Sequence, residues 1–174
     1  MNVENVINDL VGYDNLKIVQ NSNYFNFSLE SVMIPRFCVL KNNMKIIDFC
    51  TGNAPIPMIL STLTDSNIIG VELQKEIYNL AVQSVKINNL EDRITLLNMN
   101  VLDIFNVYET DSFDLITCNP PYFDTNNSLF ENVNSVKAIA RHEKLLNLDD
   151  IFTISKRVLK TNGRLAMVHR TERL

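Results

Sequence analysis

Tryptophan is absent from this sequence, glycine occurs 4 times and cysteine 3 times. So few glycines leave no glycine-rich phosphate loop of the G-x-G-x-x-G kind. Cys38, Cys50 and Cys118 are far apart and odd in number. They argue against a disulfide framework or a zinc site, and they point to a reducing, cytoplasmic setting. No apolar run approaches the roughly 20 residues that cross a bilayer. Met1-Asn2-Val3-Glu4 lacks the basic stretch and following apolar stretch that mark a secretory signal. No internal repeat or low-complexity tract is present. What remains is a chain of 174 residues, 46% hydrophobic, of a length that suits one domain with its own core.

Positive charge is scarce too, but unevenly so. The net charge is −4, which disfavours a polyanionic partner. Residues 1–131 carry 7 basic and 16 acidic side chains, whereas residues 132–174 carry 9 and 4. An acidic body with a basic final third can hold a polyanion locally. A solvated surface would read the same way.

From residue 45 onward, strand and helix signals alternate. Strands are expected at Lys45–Phe49, Asn67–Glu72, Ile94–Asn98, Asp114–Cys118 and Arg164–His169. Helices are expected at Ile56–Leu63, Gln74–Asn89 and Leu148–Lys160, the last capped by Asn147 and stopped by Asn162-Gly163. Alternation of this kind implies an α/β fold, with a parallel sheet and helices on both faces. Before it, Leu16–Gln20 and Tyr24–Phe27 read as two extended pieces around Asn21-Ser22-Asn23. Ser28 reads as a helix cap, and Pro35 as a break in that helix. Residues 122–147 form a long polar connection, of the sort often placed beside a functional site.

Three strand ends carry the chemistry. Asp48-Phe49-Cys50-Thr51-Gly52-Asn53-Ala54 follows the first core strand, where doubly wound folds bind ligands. Glu72 ends the second, 24 residues after Asp48, where a carboxylate can accept both hydroxyls of a ribose. Together they read as a nucleoside-cofactor site. Asn100 and Asp103 follow the third strand, and either could take an adenine amine. For Asp103 a plain surface loop explains the residue equally well.

The fourth strand stops at Asn119-Pro120-Pro121-Tyr122. An amide, a stiffened carbonyl and an aromatic face at one point suit a planar amine. The Asn119 oxygen and the Pro120 carbonyl accept its two N–H hydrogens, and Tyr122 stacks on its face. An aromatic amine is a poor nucleophile because its lone pair is delocalised into the ring. Accepting both hydrogens favours a pyramidal nitrogen, so alignment and electrostatics do most of the catalysis. A base held in a stack must leave it to reach such a pocket. His142 could act as a base, although this chemistry needs none, and a hydrogen-bonded structural role fits it better. Cys50 and Cys118 read as packing residues.

The Asn119–Tyr122 motif resembles that of S-adenosylmethionine-dependent amino-methyltransferases. Nearly end to end, the chain resembles the bacterial family that methylates N6 of the adenosine beside the anticodon, tRNA position 37, of valine tRNA. The resemblance runs through Gly12-Tyr13, Leu16–Gln20, Phe27–Val32, Asp48–Pro57, Glu72 and Asn119–Phe123. It also takes in Ala138-Ile139-Ala140-Arg141-His142-Glu143 and Val168–Leu174, the segments that set this family apart from release-factor glutamine methyltransferases.

The resemblance implies a Rossmann-like methyltransferase domain over residues 1–174. Residues 1–44 would cover cofactor and substrate, and residues 45–174 would form the core. It implies S-adenosylmethionine as cofactor, held by Asp48, Cys50, Thr51, Gly52, Asn53, Glu72, Asn100, Asp103 and Asn119. Catalysis would fall to Asn119, Pro120 and Tyr122. A tRNA substrate would touch Pro121, Tyr122, Phe123, Arg141 and Lys144. No metal or membrane is called for, and a monomer is expected. The chain departs from the family at Ala54 and Pro55, where Gly and a small residue are usual, and at Asn100, where an acid is common. The family continues beyond Leu174 with a helix and a final strand pair, so the chain reads as a truncated form. Other substrates for the same chemistry are a release-factor glutamine or an rRNA or DNA adenine. The basic final third favours nucleic acid. A cofactor- or RNA-binding remnant without turnover is the reading outside enzymes.

Overall fold

Short apolar segments become strands, and their order in the sheet creates the crevice that matters. The structure, a computed structural model, describes residues 4–24, 27–120 and 146–169. An antiparallel hairpin, β1 (Val6–Leu10) and β2 (Tyr13–Gln20), leads into helix α1 (Leu29–Phe37). The core then runs β3 (Ile46–Phe49), α2 (Pro55–Leu63), β4 (Ile68–Glu72), α3 (Lys75–Ile87) and β5 (Ile94–Asn98). A 3₁₀ turn (Val101–Asn106), β6 (Phe113–Cys118), α4 (Leu148–Val158) and β7 (Leu159–Met167) complete the described part. The sheet order is β5-β4-β3-β6-β7, and every neighbouring pair is parallel.

Period-two alternation sends successive side chains to opposite faces. Ile47, Phe49, Val71 and Ile116 pack against the 3₁₀ turn and against Ile151, Ile154 and Val158 of α4. Ile46, Ile68 and Leu115 pack on the other side, against Ile34 of α1 and Ile56 and Leu60 of α2. Ala81 and Val85 of α3 join Leu16 and Ile18 of the hairpin and Met58 of α2. Burying each such aliphatic side chain stabilises the fold by about 1.5–3 kcal/mol. Helices therefore cover both faces, as the sequence implied. The chain winds outward from β3 to β5, then returns to place β6 on the other side of β3. That reversal opens a crevice at the carboxyl ends of β3 and β6.

The N-terminal segment differs from the expectation. β2 takes in the extended piece expected at Leu16–Gln20 and pairs with β1, a strand the sequence did not announce, while part of Tyr24–Phe27 lies outside the described residues. Val6 to Asp9 are all exposed, so β1 lacks the alternation that would announce it. Asn21 to Tyr24 form a turn at the expected Asn21-Ser22-Asn23 link, closed by the Tyr24 N–H on the Asn21 carbonyl at 3.0 Å. Pro35 does not break α1; it sits in the last turn, where its missing N–H forfeits a single bond.

At the other end α4 stops at Val158, and the chain enters β7 at once. Asn162-Gly163 form a bulge in that strand: Phe113 pairs with Leu159, but Leu115 with Arg164. Asn162 is left-handed (φ 68°), and a Cβ on Gly163 would lie 2.9 Å from the Lys160 carbonyl oxygen. The Asn147 cap holds as a reciprocal box with Asp150. Among the described residues, no helix is long and apolar enough to cross a membrane.

Candidate active site

The loop after β3 takes an unusual backbone path without a glycine-rich sequence. Cys50 (φ 55°), Gly52 (φ 59°) and Ala54 (φ 71°) are all left-handed, and only one of them is glycine. A non-glycine residue in that region needs its surroundings to hold it. The surroundings are specific. The Thr51 N–H donates to the Val71 carbonyl at 2.9 Å, and the Ala54 N–H to the Thr51 carbonyl at 3.0 Å. Pro55 then opens α2, where a missing N–H costs nothing.

Beneath the loop, Asp48 pairs in register with Gly70 on one side and Thr117 on the other. Its fully buried carboxylate accepts from the Thr51 hydroxyl at 2.7 Å and the Thr117 hydroxyl at 2.6 Å. Burial pushes the Asp48 carboxyl up to about 7, against the pull of those hydroxyls and with a further push from the Glu72 charge. Asp48 thus braces the loop from below.

Glu72 ends β4 and is itself buried. One oxygen accepts from the Gly52 N–H at 3.0 Å and the other from the Gln74 N–H at 2.8 Å. Burial raises its pKa although backbone N–H groups of Gln74, Gly52 and Leu73 oppose this. Each carboxylate oxygen keeps a second lone pair for a ribose hydroxyl. The Asn53 amide nitrogen donates to the Val19 carbonyl at 2.9 Å, which ties the loop to the hairpin.

Asn100 caps the 3₁₀ turn by accepting from the Leu102 N–H at 3.0 Å. Asp103 is exposed in the first turn that follows. Cys118 is buried, and its thiol is pushed well up by a hydrogen bond with Cys50 and by burial, so it packs and does not act as a thiolate.

At the end of β6, the Asn119 amide nitrogen donates to the Ser31 hydroxyl at 2.8 Å and the Ser28 hydroxyl at 3.2 Å. Its oxygen is buried and has no partner among the described residues. An orphaned buried acceptor costs about 1–3 kcal/mol and asks for an explanation. A donor brought by a substrate supplies one. Pro120 follows it and is buried. Pro121, Tyr122, Phe123, Arg141, His142 and Lys144 lie outside the described residues.

The structure thus brings Asp48, Cys50, Thr51, Gly52, Glu72 and Asn119 to adjacent strand ends. It adds residues that sequence reasoning passed over. Thr117 was legible as a polar residue inside an apolar strand. Gly70 was legible as a glycine inside another. Asn98, which donates to the Glu72 and Leu73 carbonyls at 2.9 and 3.0 Å, and Ser31 carried no local signal. The donor set fits S-adenosylmethionine: an acid ending β4 for a ribose, and a loop where a Cβ on Gly52 would meet nothing within 4 Å.

Sheet order, crevice and strand-end residues define a Rossmann-like α/β domain. The sequence profile of a family described as a methyltransferase domain matches residues 40–172, and the chain belongs to that family. It is 27% identical over 141 residues to the tRNA1(Val) (adenine(37)-N6)-methyltransferase of Mannheimia succiniciproducens, covering 80% of this chain and 56% of that protein. It is 26% identical over 125 residues to the protein of the same name from Cytophaga hutchinsonii, covering 72% and 51%. The chain spans about half the length of these curated relatives. Among solved structures, P. horikoshii TYW2 in complex with MeSAdo superposes with a TM-score of 0.62 at 16% identity, covering 90% of this chain and 48% of that one.

Proposed function

We propose that this chain is an S-adenosylmethionine-dependent methyltransferase that modifies the N6 amine of an adenosine in tRNA, the adenosine beside the anticodon of valine tRNA. The observation that carries the reading is the Asn119 amide, anchored through its nitrogen with its oxygen unpartnered among the described residues. The curated relatives' names supply the substrate. Residues 1–44 and 45–174 act as one domain, the first part covering the site. The chain works as a cytoplasmic monomer, with tRNA as its partner.

The loop Cys50–Ala54 and Glu72 hold the cofactor, with Asn100 and Asp103 toward its adenine, and the bound cofactor supplies a methyl group on a sulfonium. Asn119 Oδ1 and the Pro120 carbonyl accept the two hydrogens of the target amine. An amine held this way keeps its lone pair out of the ring and available for bonding. No base is required beforehand, because the cationic product loses its extra proton afterwards. Tyr122 replaces the stacking partner of the unstacked base, and Arg141 and Lys144 hold phosphates.

The test is labelled S-adenosylmethionine with unmodified total RNA, followed by nucleoside analysis. The expected product is N6-methyladenosine in the tRNA fraction. Label in a release factor, or in no fraction, overturns the reading.

A further inference from the structure

We infer that Ser28 and Ser31 are positioning residues that set the Asn119 amide for its acceptor role; this rests on the reading of Asn119 given above. Both amide hydrogens of Asn119 are spent on these hydroxyls, at 3.2 and 2.8 Å, across 91 and 88 residues of chain. With the nitrogen used up, the oxygen is the one end left for a substrate N–H. A side-chain amide rotates about its last bond with little preference of its own. Free of its anchors, it would rotate and align its oxygen with the amine only part of the time.

The serines are placed for this task and not for an ordinary one. Ser28 is the N-cap of α1, a position where a serine side chain normally accepts from the helix's own first N–H groups. It makes no such bond here. The backbone closes the turn instead, the Ser31 N–H donating to the Ser28 carbonyl at 3.1 Å. Ser31 lies in the first turn of the same helix and is buried. Its hydroxyl is aimed at the strand end. Helix α1 thus supplies the orientation of a residue carried by β6.

The experiment compares Ser28→Ala, Ser31→Ala, the double variant and Ser28→Thr in the full chain. The readouts are methyl transfer to an unmodified valine-tRNA transcript, cofactor affinity by calorimetry, and thermal melting. The double variant should lose roughly five- to tenfold in kcat, the worth of one aligned hydrogen bond. Its KM for RNA and its cofactor affinity should stay as in the parent, and it should melt slightly earlier, because the Asn119 amide hydrogens lose their acceptors. Ser28→Thr keeps the hydroxyl and should keep the parent rate, while Ser28→Ala falls below it.

Parent kcat in the double variant, with Asn119→Ala inactive, overturns the positioning role alone. A loss carried by cofactor affinity or KM with kcat at the parent value assigns the serines to structure and overturns it as well. Full turnover in Asn119→Ala removes the catalytic reading on which the inference rests.

Discussion

Two strand ends sit side by side in the sheet and treat their polar groups in opposite ways. At the ends of β3 and the neighbouring β4 each carboxylate oxygen already has a partner: Asp48 two threonine hydroxyls, Glu72 two backbone N–H groups. At β6 the amide of Asn119 is bonded through its nitrogen and, among the described residues, orphaned at its oxygen. A network in which every group has a partner is rigid and expensive to disturb, so it suits a cradle that must hold a shape. An unsaturated acceptor costs stability until a donor arrives, so it suits the point where a substrate is recognised. The β3 end should therefore govern stability and cofactor affinity, and the β6 end should govern turnover.

The sharpest way to break this contrast is Asn119→Ala. Removing one preorganised group that acts on the reacting centre typically costs about 10²–10³ in kcat. Melting temperature should hold or rise, because the variant discards a buried orphan. A drop in stability with turnover retained would reverse the assignment of the two ends. Next in size is the pH dependence of the β3 end. Asp48 titrates at about 7 in the fold, against an ordinary carboxylate value of 3.8 in the unfolded chain. The native state therefore holds a proton that the unfolded state has lost, and the stability this brings is full below about pH 4. It is lost as pH rises toward 7, by a few kcal/mol at about 1.4 kcal/mol per unit. Glu72, raised in the same direction, adds to the trend. Thermal melts between pH 5 and 8 should fall with pH, and Asp48→Asn should flatten the curve. An unchanged slope in that variant would place the titration elsewhere. Glu72→Ala follows, at roughly 1.5–3 kcal/mol of cofactor affinity for a lost charge-assisted bond, or about one to two decades by calorimetry. The same variant orphans the Gly52 and Gln74 N–H groups and should also melt earlier. Parent affinity would remove Glu72 from the site.

Strands buried on both faces announce themselves, because only apolar runs survive there; β3, β4 and β6 were legible for that reason. Glu72 and Asn119 stood out as candidates for a related reason, since an acid or an amide that ends such a run has few structural uses. β1 was illegible because Val6 to Asp9 are exposed on both faces and only Leu10 is buried. Asn162-Gly163 was read as a helix stop because a turn dipeptide looks the same at a helix end and in a strand bulge. The partnerships inside the site were hidden for another reason. Ser31 finds Asn119 across 88 residues, and Thr117 finds Asp48 across 69. No local pattern encodes a bond that only tertiary packing creates.

Gly70→Ala is the smallest of these tests, and it probes how the cradle is held. Gly70 lies in β4 beside Asp48. A Cβ there would stand 2.9 Å from the Thr51 hydroxyl, 3.2 Å from the Thr51 methyl and 2.9 Å from a Leu96 methyl. The Leu96 tip can rotate aside. Thr51 cannot do so freely, because it is β-branched and its hydroxyl is committed to Asp48. Displacing it loosens the brace under the left-handed loop, where Cys50 and Ala54 depend on their surroundings to keep a positive φ. Overpacking of this kind costs about 1–2 kcal/mol. The loss should appear in urea melts and as a weaker cofactor affinity, while kcat at saturating cofactor stays near the parent value. Parent stability would mean that Thr51 yields without cost and that the cradle is softer than its bonds imply. A kcat defect with cofactor affinity intact would mean that strain at β3 reaches Asn119 through Thr117, and that the two ends work as one unit.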